Sequence, residues 1–161
     1  MYNRIVFPVY DENDKYFVGS TGRTVVGDDK KWINQKGFNK SNHLYGYGKA
    51  FEQIRRADAI ILVEGQGDTI RLYESGIKNA VGMFGSALSD SQEFLIQRTG
   101  VSNIILIPDN DEAGEKCKVD VYSRFKNLFN VKIVNYPNKD VGDMAVYEVN
   151  DIIKPQIKGR F

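Results

Sequence analysis

The 161-residue sequence predicts an α/β fold: a four-stranded parallel sheet flanked by helices, preceded by a small β-rich basic lobe. From residue 59 onward, apolar runs alternate with segments of helical periodicity, which is typical of a parallel sheet covered by helices. Before residue 58, the β-forming runs are short and are separated by turn residues. We therefore predict a β-rich basic lobe at 1–58 and a parallel-sheet domain at 59–161.

The first lobe is predicted to begin with a hairpin. Residues 4–10 and 15–19 are β-rich, and the polar cluster 11–14 between them has turn chemistry. Residues 24–26 are predicted to extend this sheet after a turn at Thr21-Gly22, and the glycine- and lysine-rich section that follows is predicted as surface loops. Apolar residues then recur on one helical face, which predicts a helix over 48–57.

The second part is predicted to alternate strictly between strands and helices. Residues 59–63 form a continuous apolar run, as expected of a strand that is buried on both faces. Ser89 and Gln92 have the spacing of a capping box, which opens a helix that ends near Thr99. The remaining predicted strands are 79–83, 103–108 and 131–135, and the remaining predicted helices are 68–75, 112–129 and 143–153. In the helix 112–129, the apolar stripe is Ala113, Cys117, Val121, Phe125 and Leu128.

Composition excludes several classes of protein. Hydrophobic residues make up 42% and charged residues 27% of the chain, which is typical of a soluble globular domain, and no stretch has the apolar length of a membrane span. The first residues lack the long apolar core of a secretory signal, so a cytoplasmic location is expected. The single Cys117 cannot form an internal disulfide, and with one histidine it cannot build a four-ligand zinc site. Any metal must therefore be bound by oxygen.

One segment concentrates positive charge. Residues 30–49 contain five lysines and no acidic residue, with aromatic residues interleaved. Lysines neutralise phosphates and aromatic rings stack on bases, so the segment suits a nucleic-acid surface. The alternative is a solvated basic loop whose aromatic residues belong partly to the core. The residues concerned are Lys30, Lys31, Lys36, Lys40 and Lys49, with Trp32, Phe38, His43, Tyr45 and Tyr47.

Acidic residues follow two of the predicted strands. Glu64 comes directly after the strand 59–63, and Asp109 and Asp111 follow the strand 103–108. Ligands of open parallel sheets bind beyond the carboxyl ends of the strands, and magnesium prefers carboxylate oxygen. The pattern predicts a metal site, with Asp68 nearby in the first turn of a helix. Taken alone, the Asp-x-Asp pair also suits a simple helix N-cap.

Three ordered motifs resemble those of the toprim domain in DnaG-type primases of bacteria and phages. They are Glu64-Gly65-Gln66-Gly67-Asp68, the segment 85–92 and the segment 108–114. The resemblance implies a toprim fold with Glu64, Asp68, Asp109 and Asp111 as catalytic acids. It also implies that Mg²⁺ or Mn²⁺ is bound by Glu64, Asp109, Asp111 and Asp140. Gln66 replaces an aromatic residue of the family, and the partner of Asp140 is shifted to Asp143.

The likeness extends upstream into the part of the primase RNA polymerase core that precedes toprim. Residues 4–8, 19–23, 31–34 and 38–46 resemble successive family segments. By position, the resemblance implies that Arg23, Lys31 and Lys40 contact nucleic acid or the incoming nucleoside triphosphate. Asn34 and His43 lie in the same segments and are predicted to take part.

The resemblance implies template-directed RNA primer synthesis, in which nucleotides from NTPs are joined on single-stranded DNA. The alternatives are cleavage of phosphodiesters by a toprim nuclease or topoisomerase, and a module that binds single-stranded DNA without catalysis. A zinc ribbon, the first part of the polymerase core and a helicase-binding tail have no counterpart in the sequence. We therefore expect either a fragment, inactive by itself, or a minimal phage-type or mobile-element protein that works with a replicative helicase or a separate zinc-ribbon module.

Overall fold

The computed structural model describes residues 1–27 and 30–158, which form two β-sheets with helices on the larger one. The last three residues of the predicted second domain, 159–161, and residues 28–29 of the first lie outside the described residues. The strands are β1 (Arg4–Tyr10), β2 (Phe17–Thr24), β3 (Trp32–Asn34), β4 (Ala59–Val63), β5 (Ala80–Gly82), β6 (Asn103–Ile107) and β7 (Asn130–Ile133). The longer helices are α1 (Tyr47–Ala57), α2 (Gln66–Glu74), α3 (Asp90–Arg98) and α4 (Glu112–Phe125).

The smaller sheet is antiparallel, in the order β1-β2-β3. The predicted hairpin is confirmed, and Asp11 shapes its turn because its Oδ1 accepts hydrogen bonds from the backbone amides of Lys15 (2.7 Å) and Tyr16 (3.0 Å). The predicted turn at Thr21-Gly22 is wrong, because β2 runs straight through these residues. A side chain at Gly22 would lie 2.6 Å from the sulfur of Met1, so this glycine permits close packing inside a strand.

The segment predicted as surface loops contains the third strand. Trp32 pairs with Arg23 and Asn34 pairs with Thr21, which completes the small sheet. Three residues are too few for a period of two to be visible in the sequence, so the strand depends on its pairing with β2. A short 3₁₀ turn (Lys40–Asn42) then leads to α1.

The larger sheet confirms the predicted parallel architecture. Its order is β5-β4-β6-β7, and all neighbouring strands are parallel. All five residues of β4 are buried, as expected of a strand covered on both faces. Because β4 lies between β5 and β6, the chain changes direction across the sheet at the β4/β6 boundary, where ligands bind in open sheets of this kind.

Helices cover both faces of the parallel sheet. One face packs on α1, α3 and α4, through a core that includes Ile54, Ile96 and Val121. The other packs on α2 and on the C-terminal helical segment, through a core that includes Leu72 and Ile153. Each fully buried aliphatic side chain contributes about 1.5–3 kcal/mol, so these two cores hold the strand ends in place.

Helix boundaries differ from the prediction by two or more residues in α2, in α4 and in the closing helical segment. α2 begins two residues earlier than predicted, and α4 ends at Phe125, which leaves Leu128 66% exposed, so its place in the buried stripe is wrong. The predicted closing helix begins later and consists of α5 (Val146–Glu148), a π-helical segment (Val149–Ile153) and α6 (Lys154–Lys158). Pro155 lacks the N–H of a regular helix, and the π-helical segment ends just before it.

α1 precedes the proposed boundary at residue 58 but packs on the parallel sheet. Its buried residues Tyr47, Ala50 and Ile54 belong to the same core as Ile60 and Leu62 of β4. The division at residue 58 stays a proposal. None of the helices in residues 1–27 and 30–158 combines the length and the apolar character that crossing a bilayer requires.

Candidate active site

The parallel sheet brings Glu64 and Asp109 together. β4 and β6 are neighbours with Val63 paired to Ile107, so the residues that follow them leave the sheet at the same edge. The side chain of Glu64 points toward Asp109, since its Oε1 accepts a hydrogen bond from the Asp109 backbone amide at 3.2 Å. Two acids that lie 45 residues apart in the chain therefore meet at one edge of the sheet.

The turn after β6 depends on a glycine in α4. A Cβ atom at Gly114 would lie 1.9 Å from the carbonyl oxygen of Asp109, so only glycine lets the helix approach this backbone. Asp111 is the N-cap of α4, and its Oδ1 accepts a hydrogen bond from the amide of Gly114 at 2.9 Å. The capping role anticipated for this motif is therefore present, and it uses one of the two Asp111 oxygens.

Asp68 connects two loops of the site. Its Oδ2 accepts a hydrogen bond from the amide of Gly65 (2.9 Å), and its Oδ1 accepts one from the amide of Gly142 (2.8 Å). Asp140, two residues before Gly142, accepts a hydrogen bond from the amide of Asp143 at 2.8 Å. The buried carboxylate of Asp68 thus holds the loop of Asp140 against the turn that follows Glu64.

Asn110 contributes to the site and was not identified from the sequence. Its side-chain amide donates to the carbonyl oxygens of Tyr136 and Asn138, both at 2.6 Å, and its backbone amide donates to the carbonyl oxygen of Lys139 at 2.8 Å. These bonds connect the Asp109 loop to the segment that leads to Asp140. The only sequence signal was its position between Asp109 and Asp111.

The acids raise one another's affinity for protons. Burial raises the pKa of Asp109 to about 7, and the nearby charges of four other acids add to the effect. Burial also raises the pKa of Glu64, while the hydrogen bond from Asp109 opposes the shift. A bound cation would relieve this cost, because opposite charge favours the ionised form. The four neighbours of Asp109 are Asp68, Glu64, Asp140 and Asp111.

The predicted metal ligands fit a cation only in part. Among residues 1–27 and 30–158, no group of three or more His, Cys, Asp or Glu side chains is arranged to hold an ion. Asp111 and Asp140 each direct one carboxylate oxygen to a backbone amide. Magnesium often uses one or two carboxylates and completes its shell with water and phosphate, so Glu64 and Asp109 suffice as protein ligands.

The acids form one wall of a cleft of about 410 Å³ between the two sheets. We call this the acidic wall; it comprises Glu64, Asp68, Asp109, Asp140 and Asp143. The basic wall opposite comprises Arg23, Lys31, Trp32, Asn34 and Lys40. The guanidinium of Arg23 lies over the Trp32 ring at 5.6 Å, and Lys40 Nζ donates to the carbonyl oxygen of Phe84 at 2.8 Å. Asp111, which was predicted as a metal ligand, is not among the residues that line the cleft.

His43 lies away from the cleft residues, and Gln66 makes a contact that the sequence did not predict. His43 is not among the residues that line the cleft; its ring stacks on Phe38 at 5.6 Å, and burial lowers its pKa. Gln66 lines the cleft, and its side-chain Nε2 donates to Thr21 Oγ1 at 3.0 Å. The family resemblance predicts an aromatic residue at position 66, so this contact had no sequence signal.

Comparisons with known proteins match both parts of the chain. Residues 61–145 match the Toprim-like family, and residues 1–51 match the N-terminal domain of the DNA primase catalytic core. The DNA primase of Borreliella burgdorferi is 37% identical over 125 residues, which are 76% of this chain and 24% of that protein. The DNA primase of Helicobacter pylori is 40% identical over 115 residues, which are 70% of this chain and 20% of that protein.

The solved structures agree with the sequence comparisons. The Aquifex aeolicus primase structure, which contains the zinc-binding and RNA polymerase domains, superposes with a TM-score of 0.82 at 29% identity. It covers 96% of this chain, which in turn covers 40% of that one. The chain therefore spans about half or less of the solved primase structures, and about a quarter or less of the curated relatives it matches.

Proposed function

The chain belongs to the toprim family in the form found in DnaG-type DNA primases, and from this we propose that it carries the nucleotidyl-transfer site of a primase. The proposed reaction joins nucleotides from NTPs into an RNA primer on a single-stranded DNA template. We propose residues 59–161 as the toprim domain and residues 1–58 as the lobe that contacts substrate. The remaining parts of a primase, including a zinc-ribbon module and the contact with a replicative helicase, would come from other segments or chains.

The observation that carries this proposal is the pairing of an acidic wall with a basic wall across one cleft. A nucleoside triphosphate with its cation is negative at the phosphates and positive at the metal, so it needs both kinds of wall. A site for phosphate alone would need only the basic wall, and a site for a cation alone would need only the acidic wall. The cleft volume of about 410 Å³ lies within the range of small-molecule sites.

The residues of the chain divide the work of the reaction. Glu64 and Asp109 would hold Mg²⁺ or Mn²⁺, with Asp111 and Asp140 close enough to add charge. A bound divalent cation supplies positive charge to the attacking and leaving oxygens of phosphoryl transfer. Asp68 keeps both loops in place through its two amide contacts. Most of the rate would come from positioning and electrostatics.

The basic wall is proposed to hold the phosphates and the template. Arg23, Lys31 and Lys40, which all line the cleft, would neutralise phosphate charge. The partly exposed Trp32 offers an aromatic face for a base, and Asn34 beside it can donate a hydrogen bond. His43 does not line the cleft and would contribute only through the segment to which it belongs.

Primer extension tests the function. The chain, alone and together with the other modules of a primase, is incubated with NTPs, Mg²⁺ or Mn²⁺ and a single-stranded template that carries a labelled primer. Lengthening of the labelled primer supports a polymerase, and its shortening indicates a nuclease. A mobility shift of the labelled primer without a change in its length indicates a binding module. Asp109→Asn should abolish growth, whereas Asp90→Asn, at a fully exposed position outside the cleft, should leave it unchanged.

A further inference from the structure

The elements that carry the two walls, β2 and α2, are joined by a buried polar contact. Gln66 is 5% exposed and Thr21 is 1% exposed, and the glutamine amide donates to the threonine hydroxyl at 3.0 Å. Burial of polar groups costs free energy unless they are paired, so each residue depends on the other for its partner. The hydrogen bond of such a pair favours one distance and angle between the two side chains, whereas an apolar contact is not directional.

The position of each partner relates the pair to the cleft. Thr21 and Arg23 are two residues apart in β2, so their side chains leave the same face of the small sheet. Their pairing partners Asn34 and Trp32 lie on that face as well. On the other side, Gln66 lies two residues after Glu64 and two before Asp68. The hydrogen bond therefore joins β2, which carries Arg23 of the basic wall, to the start of α2, between Glu64 and Asp68 of the acidic wall.

A second contact across the cleft, between Lys40 and Phe84, involves an exposed side chain instead of a buried one. Lys40 reaches the carbonyl oxygen of Phe84 through a long, exposed side chain. Lys40 is itself one of the groups proposed to bind substrate, so its contact can exchange when a ligand enters. The Gln66–Thr21 bond is buried, and its acceptor Thr21 does not line the cleft, so a ligand can bind without breaking it.

We propose that Gln66 is a positioning residue that, through Thr21, fixes the separation of the acidic and basic walls. This inference rests on the proposed function, because that separation decides whether a metal-bound triphosphate reaches both walls at once. Gln66 does not touch the reacting atoms. The chain thus uses a specific hydrogen bond where the family resemblance predicts an aromatic contact.

Trp32 permits a test without metal or substrate, because it is the single tryptophan of the chain and lies on the basic wall. Acrylamide quenching of its fluorescence is compared between the parent protein and Gln66→Leu, Thr21→Val and Thr21→Ser. We expect stronger quenching in the first two variants and parent-like quenching in Thr21→Ser, which keeps the hydroxyl. Ser75→Ala, which removes the hydrogen bond from a buried hydroxyl to Arg71 at the C-terminal end of α2, is the matched control and should leave quenching unchanged.

Terbium provides a second measurement, since this hard cation binds carboxylates and its emission is sensitised by a nearby tryptophan. With excitation at the tryptophan band, Gln66→Leu should bind Tb³⁺ within roughly twofold of the parent affinity, because the acids are intact. Its sensitised emission at saturation should fall, because Trp32 moves away from the ion. Binding of Mg²⁺-ATP, measured by calorimetry, should weaken by roughly 2- to 10-fold, the range of one hydrogen bond.

The double variant Thr21→Val/Gln66→Leu separates positioning from stability. It leaves no unpaired polar group, so its free energy of unfolding should recover relative to the single variants. Its Trp32 quenching should stay altered; a return to parent quenching together with recovered stability would overturn the proposal. So would parent-like quenching in Gln66→Leu. A parent protein that binds neither Tb³⁺ nor Mg²⁺-ATP would refute the proposed function, while the quenching result would still decide the role of Gln66.

Discussion

The carboxylate of Asp109 shows how one residue can oppose folding in order to serve a site. Four other acids surround it, and its pKa is raised to about 7 by burial and by their charges. Between about pH 4 and pH 7, Asp109 of the metal-free folded protein therefore keeps a proton that the same residue has lost in the unfolded chain. Compared with alkaline pH, protonation of Asp109 therefore stabilises the folded protein. This stabilisation is fully present below about pH 4 and is lost as the pH rises through about 7.

Asp109→Asn should therefore stabilise the metal-free protein at pH 8. The expected gain is about 1–2 kcal/mol, after allowance for the partial exposure of the group to solvent. Thermal unfolding in EDTA between pH 4 and pH 8 measures it, and the variant should lose less stability than the parent over this range. Glu64 and Asp68, whose pKa values are also raised, should leave a smaller dependence of stability on pH in both proteins. Identical pH profiles for parent and variant would contradict this account of Asp109.

Gly114 illustrates a steric requirement at the same loop. Gly114→Ala places a methyl group 1.9 Å from the Asp109 carbonyl oxygen, so the Asp109 turn or the start of α4 must move. We expect a loss of about 3 kcal/mol or more in the free energy of unfolding, measured with urea. Gly67→Ala is the matched control: it lies in α2 with open space around it and should cost nothing or stabilise slightly. Equal losses in the two variants would show that the loss comes from replacing a glycine in a helix and not from the contact with the Asp109 carbonyl oxygen.

At the scale of elements, α3 is held in place by one glutamine. The side chain of Gln92 donates to the carbonyl oxygens of His43 and Met83, both at 2.8 Å, and accepts from the amide of Ser89 at 3.1 Å. It thereby completes the capping box of α3 and attaches the helix to the end of β5 and to the segment before α1. The capping box was visible in the sequence, but the two further contacts were not.

Gln92→Ala should destabilise the fold by about 2–4 kcal/mol, because it leaves several buried partners unpaired. Gln97→Ala removes an exposed glutamine from the same helix and should cost less than about 0.5 kcal/mol. Chemical denaturation of both variants measures the difference. A similar small loss in both would mean that water replaces the Gln92 contacts.

The sequence predicted the parallel sheet well because its strands carry strong local signals. β4 is apolar throughout, and the alternation with helices leaves few other topologies. β3 was missed since three residues carry no period, and the end of α4 was misplaced since Leu128 fits the stripe but faces solvent. The contacts of Gln66 and Asn110 could not be predicted at all, because each depends on a distant backbone or hydroxyl group that only the fold brings near.

At the scale of the whole molecule, the cleft combines residues from both sheets, and its electrostatics predict a response to metal. Mg²⁺ or Mn²⁺ should raise the unfolding temperature, because the cation binds only when the acids are assembled. Metal at 100 times its dissociation constant would add about 2.7 kcal/mol. Scanning calorimetry against metal concentration measures the effect. Asp109→Asn should abolish it and Asp90→Asn should retain it; an equal response in both variants would place the ion elsewhere.

The order of the strands also has a consequence for synthesis on the ribosome. Asp109 emerges 45 residues after Glu64, which takes about 2–9 s at the usual rates of translation. During that time β4 can pair with β5, but the neighbour that completes the acidic edge does not yet exist. A cation held by both Glu64 and Asp109 would therefore stabilise only a sheet in which β6 has already paired with β4.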